Sequence, residues 1–174
     1  AIPAAIATRF HLDIQRISGN PDPFLPRKTA ETAYLADMHR RLAPAYEDDL
    51  DALLKLAALG NAIDFFRDQA EVTREMQARV EFGITDLAAF QRELEAPPGL
   101  LLFLADNAGE QFFDQRLVAH LRRRGWQVLY VIKGGPIQND ITLADLAASG
   151  LQEALEPLAA TGAASGTITS VTGS

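Results

Sequence analysis

Apolar residues in the first hundred positions recur at three- and four-residue spacing. Leu50, Leu53, Leu54 and Ala57 fall on one helix face behind the acidic pair Asp48 and Asp49, and Val72, Met76 and Val80 repeat the pattern. Leu87, Phe90 and Leu94 do so again after a cap at Thr85 or Asp86. Asn20-Pro21-Asp22-Pro23 interrupts the helical run, because each proline fixes its own φ and turns the preceding residue away from helix. Pro97-Pro98-Gly99 ends it. Residues 1–98 therefore read as an all-helical N-terminal subdomain.

The pattern then changes. Leu100 to Ala105 is an unbroken apolar run, as expected of a strand buried on both faces. Phe113, Leu117 and Leu121 return at four-residue spacing, which predicts a helix from about Glu110 to Arg124 with Gly125 at its C′ position. Gln127 to Ile132 is rich in β-branched and aromatic residues and predicts a second strand. Thr142-Leu143-Ala144-Asp145 has the form of a capping box that opens a helix stopping at Gly150. Thr167 to Val171 gives only the hint of a third strand. Strand, helix, strand, helix with short joints means parallel strands and right-handed crossovers. The expected fold is α/β: a parallel-sheet, three-layer Rossmann-like domain over residues 99–174.

Composition narrows the function classes. The 174 residues are 48% hydrophobic and 22% charged, which suits a globular chain, and the net charge of −7 argues against nucleic acid or an anionic membrane as partner. No apolar run reaches the length of a membrane span. With no cysteine, thiolate metal sites and cysteine nucleophiles are excluded. A cytoplasmic location is the default expectation. The chain opens on Ala-Ile-Pro and closes on a stretch of small residues, so it is expected to be a piece of a longer unit.

Parallel strands place their carboxyl ends on one edge, where ligands bind. The first strand runs into Asp106-Asn107-Ala108-Gly109-Glu110 and the second into Lys133-Gly134-Gly135-Pro136, with Asn139-Asp140 just beyond. Asp106 and Asp140 are thus expected at the same edge. Asp106, Asn107 and Asp140 offer oxygen ligands only, a set suited to hard cations such as Mg²⁺ or Mn²⁺. The loop carrying Ala108 and Gly109 leads into a helix N-terminus, which favours an anion, and Lys133 adds positive charge. Asp106 and Glu110 would repel a phosphate there unless a cation bridged them. Metal plus phosphate is the coherent combination. Each residue also has an ordinary structural role open to it, as helix cap, turn residue or partner of the helix dipole. The histidines, His11, His39 and His120, are scattered and take no part in this constellation, and Arg122-Arg123-Arg124 suits a helix C-terminus.

Leu104-Ala105-Asp106-Asn107-Ala108-Gly109-Glu110, then Asp114, the run from Val131 to Thr142, and Asp145 closely resemble the metal-dependent damage-control phosphatase family, in its shorter bacterial and archaeal branch. Gly19-Asn20-Pro21-Asp22-Pro23-Phe24 with Lys28, and Ala58-Leu59-Gly60-Asn61-Ala62-Ile63-Asp64, extend the resemblance over nearly the whole chain. The resemblance implies metal ligation by Asp106, Asn107 and Asp140. It also implies hydrolysis of small phosphorylated metabolites supported by Mn²⁺, Co²⁺, Ni²⁺ or Mg²⁺. It places Asn61 and Asp64 beside the pocket, or in a buried hydrogen-bonding corner after a helix. Asp106, Glu110 and Lys133 are the expected catalytic groups, with Asp106 as nucleophile or base. Asn61, Asp64, Ala108, Gly109 and Lys133 are expected to bind substrate. The chain departs from the family in lacking a Cys-x-x-Cys near its start and a later Lys-Gly-Gln-x-Asn-type phosphate motif. A non-catalytic phospho-metabolite-binding domain is the alternative, and a carboxyl methyltransferase a weaker one.

Overall fold

The computed structural model describes residues 3–62, 82–162 and 168–171. Helix α1 (Pro3–Ser18) is followed by the Asn-Pro-Asp-Pro turn, in which Asn20 Oδ1 accepts the Asp22 N–H and Asp22 Oδ1 accepts that of Phe24. These side-chain turns are why Asn and Asp alternate with the prolines there. Helix α2 (Leu25–Leu42) leads through a short 3₁₀ turn (Ala43–Ala45) to α3 (Leu50–Ala62). After α4 (Leu87–Glu95) come β1 (Leu100–Leu104), α5 (Gln111–Arg123), β2 (Gln127–Lys133), α6 (Leu143–Ser149) and α7 (Gln152–Leu155). Strands β3 (Leu158–Thr161) and β4 (Ile168–Val171) complete the described elements. The periodic run containing Val72, Met76 and Val80 lies outside the described residues, as does Asp64.

The sheet has the order β1-β2-β3-β4, with the first three strands parallel and β4 antiparallel to β3. Two successive right-handed crossovers advancing in one direction place their helices on the same face. Accordingly α5 and α7 share one core with β2 and β3. In it Leu117, Val118, Leu121 and Leu155 pack with Val128, Tyr130, Ile132 and Leu158, joined by Leu50 and Leu53 of α3, Leu94 of α4 and Leu146 of α6. A second cluster, Leu35, Met38, Leu56, Leu59 and Phe113, fastens α2 and α3 to the start of α5.

β2 is buried on both faces, but β1 is not. Leu101 and Phe103 pack on the core, whereas Leu100, Leu102 and Leu104 remain 64%, 46% and 70% exposed. The apolar run at 100–105 therefore does not mark a strand covered on both sides. β1 ends the sheet among the described residues, and the helix that follows it, α5, packs on the side of Leu101 and Phe103.

Candidate active site at the carboxyl ends of β1 and β2

The chain leaves β1 at Asp106 and leaves β2 at Lys133, and backbone hydrogen bonds join the two exits. Ile141 N–H donates to Asp106 O (2.8 Å), Ala108 N–H to Asn139 O (2.8 Å) and Lys133 N–H to Ile141 O (3.0 Å). Asn107 and Asp140 form an isolated antiparallel bridge. The structure thus brings together Asp106, Asn107 and Asp140, the three residues expected at one edge. Asp140 N–H closes a turn onto Ile137 O, and Gln138 inside it takes the left-handed φ of 49°.

Lys133 Nζ lies 2.8 Å from Asp140 Oδ2. Even so, the Asp140 carboxyl is pushed above its ordinary range, because burial outweighs the Lys133 contacts and the Asp106 charge adds to the upward push. A carboxylate held in such surroundings gains from a nearby cation. Asp106 itself is exposed. Among the described residues no three His, Cys, Asp or Glu side chains gather into a metal-holding group. The candidate set is two carboxylates and one carboxamide, all oxygen donors, which fits a hard divalent ion.

Glu110 and the two loop amides are all engaged within the protein. Glu110 is buried, and its carboxylate accepts Asn107 Nδ2 at 2.6 Å and Asn61 Nδ2 at 3.2 Å from both oxygens. Burial raises its pKa, partly offset by the two asparagine amides. Its carboxylate is engaged by the amides of both asparagines. Asn61, at the end of α3, is the exposed residue that reaches this carboxylate. The expected anion cradle at Ala108 and Gly109 is also not what those amides form. Ala108 N–H goes to Asn139 O, and Gly109 N–H goes to the buried Gln111 Oε1 at 2.5 Å. Gly109 has φ +108° and lies against Leu35, so its lack of a side chain serves packing on α2.

Two neighbouring features were not legible as a site. His11, 7% exposed, sits edge-on to the rings of Phe10 and Phe24, and its charge bears on Asp140. Gln15, one turn further along α1, donates Nε2–H to Pro136 O at 2.7 Å. The four-residue spacing of His11 and Gln15 was the available signal, and only the fold shows which loop that face meets. Lys28 is 1% exposed and pairs with Asp22 (2.9 Å) and Asp145 (3.0 Å). Asp145 also accepts the Thr142 N–H and hydroxyl, so the capping box and the Asn-Pro-Asp-Pro turn share one lysine.

The family model for the damage-control phosphatase ARMT1-like domain matches residues 1–171. The chain belongs to this family. A damage-control phosphatase of Pyrococcus horikoshii is 31% identical over 162 residues, covering 88% of this chain and 55% of the relative. One of Archaeoglobus fulgidus is 27% identical over 152 residues, covering 83% and 52%. The crystal structure of a DUF89 family protein from Pyrococcus horikoshii superposes with a TM-score of 0.73 at 28% identity, over 88% of this chain and 55% of the other. The chain spans about half the length of the curated relatives it matches.

Proposed function

We propose that this ARMT1-like domain carries the metal and phosphate centre of a metal-dependent phosphomonoesterase acting on small phosphorylated metabolites. The supporting observation is the joined pair of strand-end loops, which holds Asp106, Asn107 and Asp140 together beside Lys133 in a chain whose relatives are damage-control phosphatases. Asp106, Asn107 Oδ1 and Asp140 would hold a divalent ion such as Mn²⁺, Co²⁺, Ni²⁺ or Mg²⁺. Such an ion supplies Lewis-acid polarisation of a phosphoryl oxygen. Asp106, exposed at the end of β1, acts as nucleophile or general base. Lys133 offers its ammonium to the phosphoryl oxygens, a role left to it because the Ala108 and Gly109 amides serve the frame.

Asp140→Ala is expected to weaken Mn²⁺ binding by about 10-fold or more, since a direct ligand should matter at least as much as a residue behind one. Equal Mn²⁺ binding by wild type and variant in calorimetry removes Asp140 from the centre. Metal-dependent turnover of an aryl phosphate separates the enzyme from a non-catalytic binder. Lys133→Ala lowers turnover if its contact strengthens in the transition state and raises KM if the contact is uniform. Unchanged kinetics in that variant rule out both.

A further inference from the structure

An asparagine can ligate a hard cation only through Oδ1, and its carboxamide can turn by half a rotation to present an NH₂ group instead. The neighbours of Asn107 decide between the two. Its Nδ2 donates to Glu110 Oε1 at 2.6 Å and lies 3.4 Å from Asp106 Oδ2. Asn61 brings an NH₂ group to both Glu110 oxygens, so these oxygens serve as acceptors and call for the Asn107 nitrogen on that side. Oδ1 accepts no hydrogen bond among the described residues. Glu110 is itself held: it is 6% exposed, and Asn61, in the last turn of α3, donates to both of its oxygens.

We infer that Glu110 is a positioning residue, clamped by Asn61, that locks the Asn107 carboxamide so that Oδ1 is its ligating atom. This rests on the metal reading above. It accounts for a carboxylate buried at the N-cap of α5, behind the site. It also gives Asn61 a task at the junction of α3 with the loop. Without Glu110 the carboxamide loses its strongest constraint and turns freely, so part of the population offers a donor where the ion needs an acceptor.

The test measures Mn²⁺ affinity by calorimetry alongside aryl-phosphate turnover. Folding is checked by circular dichroism. Glu110→Ala is expected to lose about 10-fold or more in Mn²⁺ affinity, the usual cost of removing a group that orients a ligand. Glu110→Gln is expected to recover much of that loss, because Gln Oε1 still accepts from Asn107. Asn61, which is exposed, can turn its own carboxamide to meet the new Nε2. Turnover of each variant then tracks its Mn²⁺ affinity. Wild-type Mn²⁺ affinity in Glu110→Ala overturns the inference. So does a Glu110→Gln protein that binds Mn²⁺ tightly but has lost turnover, which would make Glu110 a proton-transfer group. If Glu110→Ala does not fold, a loss of Mn²⁺ affinity in folded Glu110→Gln overturns it equally. No Mn²⁺ binding by the wild type, or binding indifferent to Asp140→Ala, sinks the metal reading itself and this inference with it.

Discussion

Single residues in this chain carry more charge chemistry than its surface shows. Asp114, one turn after Glu110 and 4% exposed, has its carboxyl pushed up to about 8. Burial is the largest cause, and the nearby Glu110 charge adds to it, against the lowering effect of Tyr130, whose hydroxyl donates to Asp114 at 2.7 Å. The pair in turn raises the Tyr130 phenol, again chiefly through burial. Asp114 is therefore protonated at neutral pH in the folded chain and ionised in the unfolded one. Between about pH 4 and 8 the folded state binds the extra proton, so this group's contribution to stability falls as pH rises. Asp114→Asn keeps the acceptor for Tyr130 and removes the titration. Chemical denaturation across pH 5 to 7 should show the wild type losing stability relative to this variant by roughly 1.4 kcal/mol per pH unit. Parallel profiles would mean that Asp114 does not titrate in that range. Gly109→Ala combines a forbidden φ with a collision against Leu35, and is expected to cost about 2 kcal/mol or more of unfolding free energy. Trimming Leu35 to Ala in the same chain should not repair the loss, because the φ penalty stays.

Elements here are tied by side chains that reach between them. Lys28 links α2, the turn before it and the cap of α6, buried with two carboxylates. Lys28→Met would leave Asp22 and Asp145 facing one another without a cation, and thermal unfolding should report a loss of about 3–5 kcal/mol. At this scale the sequence was readable wherever local chemistry decides. The capping box at Thr142 and the left-handed stop at Gly150, φ 72°, are both where the sequence puts them. So are β2 and α5 to within a residue or two. β3 was missed because Leu158-Ala159-Ala160-Thr161 is short and alanine-rich, with no strand periodicity, and its pairing partner β2 is 25 or more positions earlier. The closeness of Asp106 and Asp140 could be inferred from parallel topology alone. The commitment of Glu110 to Asn61 could not, since 49 residues separate them and only the packing of α3 on α5 makes them neighbours.

At the scale of the molecule, β1 packs on the core through one face and is open along the other among the described residues. A residue as exposed as Leu104 contributes little to folding, so Leu104→Ser should change the unfolding free energy by less than about 0.5 kcal/mol. Leu101→Ser, on the packed face of the same strand, should be much more costly in the same denaturant titration. The joined strand-end loops have a different kind of consequence. Their register depends on amides and carbonyls of Asp106, Ala108, Lys133, Asn139 and Ile141, not on the side chains that would meet an ion or a phosphate. The chemistry can then be rewritten without rebuilding the support. A carboxylate at Asp106 or Asp140 can be exchanged for imidazole, or removed, while its Cα stays where the backbone holds it. Under the metal reading proposed above, this edge is a natural place for paralogues, or for a protein engineer, to change metal preference one position at a time.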